Sequence, residues 1–329
     1  MVTFAVIGTN FITERFLTAA KLCRDFRLGL VYSRSLERAD EFAKKWGAPR
    51  ICDSLEALCA DPEVQAVYLA SPNRFHAEQA IQLMGAGKHV LCEKPIAPDG
   101  ETLERMLAAA RKNNVVLLEA MRPAYVPSIK LIRERLGQIG PIRRGVLTYC
   151  QYSSRYDKFK AGIVENAFDP TLCNGALMDI GVYCVNTMIL LFGAPKSIRA
   201  DGFFLKNSID AYGTISAGYG GMSVQLMYSK INNSFLPCEI QGEKGSILFE
   251  PMSVPRKIEI RYNGGKKEAL PCEFYPQDMY YELTRFLQFV HSGTGMEPYH
   301  EVSRAALRVM DEARRQIGID FQRHAHSAG

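Results

Sequence analysis

The first 120 residues of the chain alternate short, predominantly apolar segments with segments of helical spacing. The apolar segments are "TFAVIG", "RLGLVYS", "AVYLAS", "HVLCE" and "VVLLEA", and each has the length of a buried strand. Between them, apolar residues recur every three or four positions, as in Leu103, Met106, Leu107 and Ala110. Strands that are apolar on both faces and joined by helices predict an α/β fold with a doubly wound parallel sheet and right-handed crossovers.

The pattern changes after the Arg122–Pro123 pair. The residue before a proline is held away from helical geometry, so this pair suits a connection between domains. We predict one domain over residues 1–122 and a second over residues 123–329. In the second, a helix is predicted over about 175–192, strand-like segments separated by Gly, Asn and Pro turns come next, and two amphipathic helices close the chain. The short turns predict an α+β domain with an open, mostly antiparallel sheet.

Composition limits the classes of function. The chain has 40 basic and 35 acidic residues and no run of five like charges, so we expect no nucleic-acid partner. The N-terminus lacks the features of a signal peptide and no run of 18 apolar residues occurs, so we expect a cytoplasmic protein without a membrane partner.

Nine cysteines without a C-x-x-C pair are typical of reduced packing residues. The six histidines show no metal-ligand spacing, so no metal is predicted, and the terminal "HAHSAG" is predicted to be a disordered tail.

The segment "GTNFIT" stands where a dinucleotide-binding fingerprint, G-x-G-x-x-G, would open the first helix. Gly8 supplies the first glycine, while Asn10 and Thr13 replace the others. Asparagine tolerates a positive φ and can cap the following helix, so Asn10 can hold the turn. An ordinary strand-turn-helix is the alternative. The residues predicted to bind the cofactor's pyrophosphate region are Gly8, Thr9, Asn10, Phe11 and Ile12.

The end of the second strand indicates which dinucleotide would bind. An Asp or Glu at this point holds the ribose hydroxyls of NAD, whereas an Arg accommodates the 2'-phosphate of NADP. Here the strand is followed by "SRSLER", which contributes Ser33, Arg34 and Arg38 and no acid directly after the strand. Guanidinium and hydroxyl groups suit a phosphate ester. We predict NADP, with NAD as the alternative; a solvated Arg34 in an ordinary loop is the other interpretation.

Two longer segments resemble the paired signatures of one enzyme family. The segments are "ASPNRFHAEQAIQLMGAGKHVLCEKPIA", residues 70–97, and "NGALMDIGVYCVN", residues 174–186. They resemble the glucose-fructose oxidoreductase, inositol dehydrogenase and MocA (Gfo/Idh/MocA) family, and the resemblance extends over essentially the whole chain. It implies a Rossmann domain followed by a substrate-binding α/β domain. It also implies a homodimer or homotetramer formed through the open sheet of that second domain.

The triplet Glu93-Lys94-Pro95 carries part of this resemblance. Hydride transfer to or from an alcohol carbon also moves a proton on its oxygen, so the site needs a titratable group within hydrogen-bond reach. Lys94 follows a buried strand at the sheet edge where a cofactor would bind. The resemblance implies that Lys94 is catalytic and that both Glu93 and Lys94 lie at the cofactor. A surface lysine is the alternative, and the sequence leaves open whether the Lys94–Pro95 bond is cis.

Asp179 and Tyr183 stand four residues apart on the predicted helix and therefore project from one face. The resemblance implies that Asp179 orients the substrate and that Tyr183 gives or takes the substrate proton. Many family members have a histidine at the latter position; the tyrosine is similar to the dihydrodiol and xylose dehydrogenase type, which is largely NADP-linked. A phenol is a weaker base than imidazole, so a cation such as Lys94 would have to favour its ionised form. The alternative is a core tyrosine with a satisfied hydroxyl.

Further candidates come from the segments around these motifs. Four of them follow the strand "AVYLAS" and are predicted to flank the dinucleotide: Ser71, Pro72, Asn73 and His76, whose ring could instead merely pack. Four others are predicted to contact substrate, the last two from a long irregular stretch: Arg122, Tyr125, Arg155 and Asn166.

These observations predict an NADP-dependent oxidoreductase that transfers a hydride between the nicotinamide and a hydroxyl or carbonyl carbon of a sugar, polyol or cyclic diol. Lys94, Tyr183 and Asp179 are its predicted catalytic residues. A non-catalytic regulator that senses nucleotides on the same fold is the alternative hypothesis. The presence of a complete set of proton-handling residues favours the enzyme.

Overall fold

The computed structural model describes residues 1–321, so the predicted tail "HAHSAG" lies outside the described residues. The chain divides into two compact units. The first unit comprises residues 1–122 and 275–301, and the second comprises residues 123–274 and, of the described residues, 302–321. The segment 275–301, which the sequence prediction assigned to the second domain, packs with the first unit.

The first unit contains one parallel sheet. Its strands are β1 (Val2–Ile7), β2 (Phe26–Tyr32), β3 (Ile51–Cys52), β4 (Ala66–Leu69), β5 (His89–Glu93) and β6 (Leu117–Ala120). They pair in the order β3-β2-β1-β4-β5-β6, and every pair is parallel. All residues of β1, β4 and β6 are buried, which explains why these strands are apolar on both faces. The predicted doubly wound sheet is confirmed. Strand β3 was not predicted, because its two residues are too few to form a recognisable apolar segment.

Five helices connect these strands. They are α1 (Phe11–Ala20), α2 (Leu36–Trp46), α3 (Leu55–Ala60), α4 (His76–Gly85) and α5 (Gly100–Lys112). Helices α1, α2, α3 and α5 begin at a polar residue whose side chain accepts a backbone N–H of the first turn: Asn10, Ser35, Ser54 and Asp99. Each such cap stabilises its helix by about 1 kcal/mol and fixes where the preceding loop ends.

The second unit contains an open, mixed sheet of eight strands within the described residues. The strands are β7 (Ile142–Cys150), β8 (Ser197–Phe204), β9 (Asp210–Gly218), β10 (Ser223–Ser229), β11 (Cys238–Gly242), β12 (Gly245–Glu250), β13 (Lys257–Tyr262) and β14 (Lys267–Ala269). Their order is β14-β13-β12-β11-β7-β10-β9-β8. Strands β7 and β10 pair in parallel, and every other neighbouring pair is antiparallel. The predicted mostly antiparallel sheet is confirmed.

Five more helices complete the described chain. They are α6 (Pro127–Arg135), α7 (Tyr156–Lys160), α8 (Val182–Phe192), α9 (Met279–Ser292) and α10 (Glu297–Ile317). A π-helical turn, Leu177–Gly181, directly precedes α8. The single helix predicted over about 175–192 is therefore a wide turn followed by an α-helix, a distinction that apolar spacing does not reveal.

The segment 275–301 joins the first unit through an aromatic core. In α9, the ring of Phe286 lies 5.8 Å from that of Phe4 in β1. Phe16 of α1 lies 6.3 Å from Phe4 and stacks on Tyr68 of β4 at 3.8 Å. All four rings are completely buried. Burial of such rings stabilises a fold by about 2 kcal/mol each, so α9 is part of this core.

One helical segment of the described chain, Pro170–Phe192, is long and apolar enough to cross a membrane by length and composition alone. Its most apolar window is 83% buried inside the protein. Burial of this kind is typical of a core helix, and α8 accordingly packs against β7 and β10 of the sheet.

Candidate active site

The predicted cofactor residues lie along one edge of the parallel sheet. They follow the carboxyl ends of β1, β2, β4 and β5, and parallel strands present these ends at the same edge. In the sheet order, β1 lies between β2 and β4: the chain runs outward from β1 through β2 to β3 on one side, then crosses back to β4 and continues outward to β6 on the other. The crevice beside such a reversal point is where doubly wound sheets bind ligands.

The turn after β1 is held closely against the segment that follows β4. Gly8 has a φ of +102°, and a Cβ built on it would lie 2.5 Å from the carbonyl oxygen of Ala70, so only glycine fits. Asn10 donates from Nδ2 to the same carbonyl oxygen at 3.0 Å. Its Oδ1 accepts from the backbone N–H groups of Ile12 and Thr13. Asn10 thereby ties the turn to both α1 and Ala70.

Asn10 does not adopt the positive φ that was offered as a reason for its presence. Its φ is −104°, in the extended region, where any residue is tolerated. The second reason, capping of α1, is the one that the structure confirms. Phe11 is 61% exposed beside this turn, and Thr13 is buried. Thr9 and Ile12 are half-buried, and contact of this turn with a cofactor stays a prediction.

The segment after β2 leaves its basic side chains at the surface. Arg34 and Arg38 are exposed, and the guanidinium of Arg34 lies 5.9 Å from the ring centre of Phe75, which follows β4. The Ser33 hydroxyl accepts from the backbone N–H of Ser35, and the Ser35 hydroxyl caps α2. Serine hydroxyls thus shape this loop, while the two arginines offer positive charge beside the start of α2.

His76 supports the neighbouring segments from inside the protein. Its ring has no exposed surface. Nδ1 lies 2.9 Å from the carbonyl oxygen of Pro95, and Nε2 lies 2.8 Å from that of Ser71. Burial lowers the pKa of His76, so the ring is neutral and donates to one of the two carbonyls at a time. Of the other predicted cofactor residues here, Ser71 donates its hydroxyl to Gln79, and Pro72 and Asn73 are half-buried.

The Glu93–Ile96 segment is fixed by side chains from three neighbouring elements. The Tyr68 hydroxyl, from β4, donates to Oε1 of Glu93 at 2.6 Å. The backbone N–H of Ile96 donates to Oε1 of Glu119, from β6, at 3.1 Å. The third side chain is that of His76, from α4. Lys94 itself is half-buried and the Lys94–Pro95 bond is cis, so the structure fixes the isomer that the sequence left open.

A network of charged residues lies beside Glu93 in the first unit. Asp278 pairs through Oδ1 with Arg15 at 2.8 Å and through Oδ2 with Arg122 at 3.0 Å. The side chain of Arg122 is 12% exposed, so its guanidinium serves this internal pair. Its predicted contact with substrate stays a prediction. Burial raises the pKa of Glu93, and the hydrogen bond from Tyr68 and the positive charges of Lys94 and Arg122 oppose this rise.

Glu282, in α9, is the most unusual member of this network. It has no exposed surface, and neither carboxyl oxygen has a hydrogen-bond partner among the described residues. Burial, followed by the negative charge of Glu93, raises the pKa of Glu282 well above its ordinary value. An unpartnered carboxylate would be very costly in such surroundings, so Glu282 is the neutral acid at neutral pH.

In the second unit, Asp179 and Tyr183 lie on the π-helical turn and on α8. Four of the five residues of the turn are buried, and Asp179 is the half-buried one. Its Oδ2 pairs with the Nζ of Lys230 at 2.9 Å. Tyr183 is 5% exposed, and its ring meets that of Tyr149 edge-on at 5.6 Å. The structure thus places both residues at one end of the same helix.

The start of the π-helical turn is held by a buried carboxyl group. Gly175 has a φ of +133°, and a Cβ on it would lie 1.8 Å from Oδ1 of Asp210. Oδ2 of Asp210 accepts from the backbone N–H of Leu177 at 2.7 Å. Burial raises the pKa of Asp210 to about 6, although this hydrogen bond and the charge of Lys230 oppose the rise. Asp210 therefore anchors the turn that carries Asp179.

The remaining predicted substrate residues also lie in the second unit. Arg155 pairs with Glu165 through Nε and Oε2 at 3.4 Å. Asn166 is exposed, and Tyr125 is half-buried. The stretch that holds Arg155 and Asn166 is more ordered than predicted, because it contains α7 and two 3₁₀ turns, Asn166–Phe168 and Pro170–Leu172.

Four supporting residues were missed by the sequence analysis: Tyr68, Asp210, Lys230 and Glu282. Each is a polar residue within or beside an apolar segment, as in "VQLMYSK", and that interruption was the available signal. Within residues 1–321, no group of three or more His, Cys, Asp or Glu side chains is arranged to hold a metal ion.

Comparison with known proteins identifies the class. Residues 2–121 match the family model described as "Oxidoreductase family, NAD-binding Rossmann fold", and residues 130–248 match the "GFO/IDH/MocA C-terminal domain". The chain belongs to the GFO/IDH/MocA oxidoreductase family. The predicted family, the Rossmann fold and a nicotinamide-dependent oxidoreductase are thereby confirmed, and the enzyme is favoured over the sensor alternative.

Individual relatives extend this result. The chain is 46% identical over 323 residues to the scyllo-inositol 2-dehydrogenase (NADP(+)) IolU of Bacillus subtilis, with 98% of each chain covered. It is 29% identical to the trans-1,2-dihydrobenzene-1,2-diol dehydrogenase of Mus musculus, with 97% of each covered. Among solved structures, a 3-ketoreductase of Actinomadura kijaniata in complex with NADP and TDP-benzene is similar, with a TM-score of 0.87, 24% identity and coverage of 96% of this chain and 98% of that one. The similarity to the ketoreductase structure shows that the two proteins share a fold.

Replacing Glu282 by glutamine should raise the free energy of unfolding at neutral pH. Because the pKa of Glu282 is raised above its ordinary value of 4.5, the folded protein keeps a proton that the unfolded chain releases. The wild-type free energy of unfolding should therefore fall as the pH rises above about 4.5, by up to about 1.4 kcal/mol per pH unit until the raised pKa is passed. The glutamine variant lacks this contribution. Urea unfolding between pH 5 and pH 8 measures the difference.

Glu78→Gln is the matched control, because Glu78 is exposed on α4. Its curve should run parallel to the wild-type curve at all pH values. A Glu282→Gln curve that also ran parallel to the wild-type curve would show that Glu282 is ionised in the folded protein.

Proposed function

We propose that the protein is an NADP-dependent dehydrogenase of a secondary hydroxyl group on a ring that carries a neighbouring hydroxyl, with scyllo-inositol as the first candidate substrate. The similarity to IolU over 98% of both chains carries this proposal. The dihydrodiol dehydrogenases act, by their name, on a different ring with two adjacent hydroxyls, which supports a cyclic vicinal diol as the shared substrate class. The wider class is a carbohydrate-like small molecule.

The proposed chemistry gives each predicted catalytic residue a role. Bound NADP supplies the hydride acceptor or donor. Asp179 accepts hydrogen bonds from substrate hydroxyls, because an ionised carboxylate is a strong acceptor for such groups. Lys94 and Tyr183 handle the proton that leaves or joins the reacting oxygen. The hydrogen bonds that fix the Glu93–Ile96 segment support the role of Lys94, since a proton-transfer group needs a defined position.

Exposed arginines after β2 support NADP rather than NAD. Arg34 and Arg38 flank the start of α2, where a 2'-phosphate would meet two guanidinium groups and the positive end of the helix. The name of IolU includes NADP, in agreement with this assignment. Glu37 lies in the same helical turn, yet no acidic residue directly follows the strand to hold ribose hydroxyls.

Replacing Arg34 by alanine should weaken NADPH binding by roughly tenfold or more, the effect of losing one charge-assisted hydrogen bond. NADH binding should change little. Fluorescence titration measures both affinities, and Arg111→Ala, an exposed arginine at the end of α5, is the control. Equal or tighter binding of NADH by the wild-type protein would refute the NADP preference.

Replacing Lys94 by methionine should lower kcat with scyllo-inositol and NADP+ by about 100-fold or more, because the site loses a proton-transfer group. Tyr183→Phe should have a comparable effect. Both variants should bind NADPH nearly as tightly as the wild type, and Lys112→Met, an exposed lysine of α5, should turn over normally. Near-normal turnover by Lys94→Met would remove the lysine from the mechanism.

Firm NADPH binding without turnover of any polyol or diol by the wild type would favour the nucleotide-sensing alternative.

We further propose a homodimer or homotetramer formed through the second unit's sheet. Residues of β8 alternate between exposed and half-buried, and the rings of Phe203 and Tyr212, 47% and 41% exposed, stack at 5.3 Å on this part of the sheet. Such an aromatic pair suits an interface. A monomer mass by light scattering at micromolar concentration would refute this assembly.

We also propose that the protein resides in the cytoplasm. The nine free cysteines of the described chain suit a reducing compartment, and cell fractionation can check the location.

A further inference from the structure

Lys230 is a buried lysine directly after β10, and its ammonium group has three partners in the second unit. The side chain is 3% exposed. Nζ lies 2.9 Å from Oδ2 of Asp179 and donates to the carbonyl oxygen of Ala167 at 2.7 Å. It also lies 4.9 Å from the ring centre of Phe168. A buried charge is costly unless it is paired and hydrogen-bonded, so these contacts are what allow a lysine here.

The backbone of Lys230 is fixed on both sides. Its N–H donates to the carbonyl oxygen of Ala211, in β9, at 2.9 Å, and its own carbonyl oxygen accepts from the N–H of Ser153 at 2.8 Å. A long side chain that starts from a fixed backbone and ends in a salt bridge holds its partner in a defined orientation. Lys230 is therefore a rigid support for Asp179.

Two carboxyl groups interact with the charge of Lys230, and they differ in exposure. Asp210, from β9, is 3% exposed and holds the backbone of the π-helical turn. The side chain of Asp179 is 33% exposed and forms the direct salt bridge. The ammonium group thus pairs with the carboxylate that a ligand can reach, and the buried Asp210 secures the turn that carries it.

The hydrogen bond to Ala167 connects the same lysine to the stretch after α7. Ala167 belongs to a buried cluster with Phe159, Phe168 and Ile209. One ammonium group therefore joins this cluster to Asp179. A displacement of the cluster would also displace the Asp179 carboxylate, and the reverse holds as well.

We propose that Lys230 is a positioning residue for substrate binding: its ammonium group orients the Asp179 carboxylate, keeps it ionised, and ties it to the cluster around Phe168. This inference rests on the proposed role of Asp179 in binding the hydroxyls of a cyclic diol or polyol. Lys230 acts through Asp179 and does not itself contact the reacting atoms.

The first experiment is a double-mutant cycle of Lys230→Met and Asp179→Asn, assayed with scyllo-inositol and NADP+. Lys230→Met alone should raise KM by about tenfold or more, the effect of a disrupted charge-assisted contact. NADPH affinity should not change. In the Asp179→Asn background, Lys230→Met should have little further effect, because the lysine acts through the aspartate. Lys230→Arg, which retains the charge, should recover part of the loss.

The second experiment requires no activity. Carbon-13 labelling of aspartate carboxyl groups, with Asp179→Asn to assign the signal, follows the titration of Asp179 by NMR. Lys230→Met should move this titration upward by about one pH unit or more, because the carboxylate loses an adjacent cation. Lys257→Met is the control, since Lys257 forms an exposed pair with Glu250 at 2.9 Å. It should leave the titration of Asp179 in place.

The outcomes are distinct. An unshifted titration, or additive effects in the cycle, would overturn the inference even if thermal unfolding showed that Lys230→Met destabilises the protein. A shifted titration in a protein that turns over no polyol or diol would refute the proposed function and retain Lys230 as the residue that orients Asp179. If Lys230→Met does not fold, Lys230→Gln keeps a neutral donor for the Ala167 carbonyl, and the same criteria apply to it.

Discussion

Parallel pairing of β1 with both β2 and β4 is the constraint on which the cofactor region depends. In this register, Ile7 is level with Tyr32 on one side and with Leu69 on the other. The segments that follow the three strands therefore begin at the same height. Gly8 can then approach the Ala70 carbonyl so closely that a side chain would collide with it. A register slip of one residue would turn each strand's side chains to the opposite face and remove this alignment.

The two units support their predicted site residues in the same way. In each, a half-buried residue that we propose to contact a ligand depends on groups buried more deeply. Tyr68 and Glu119 fix the segment of Lys94, and Asp210 and Lys230 fix Asp179. Polar groups that are buried and paired have little freedom to reorient, so the position of the outer residue follows from packing.

The sequence was sufficient for the parallel sheet because its strands are buried on both faces and therefore apolar throughout, as in β1 and β4. Short signatures around Lys94 and Asp179 were sufficient to identify the family. The sequence could not reveal partnerships between distant segments. Nothing near Glu93 indicates that Glu282 lies close to it, and a strand-end lysine such as Lys230 looks like any surface lysine. For Asn10, the sequence analysis offered two reasons, tolerance of a positive φ and capping of α1, and only capping applies.

The π-helical turn before α8 has a consequence for how this region varies among relatives. A π turn closes its hydrogen bonds over one residue more than an α turn. Because the wider turn takes one residue more to complete, loss of one residue there would restore an α turn of nearly the same total rotation, and the chain on either side would keep its orientation. The side chains within the turn, Asp179 among them, would take new positions. The number of residues in this turn therefore decides, together with their identity, which side chain stands where Asp179 does. A sequence alignment that ignores a single gap here would pair the wrong side chains.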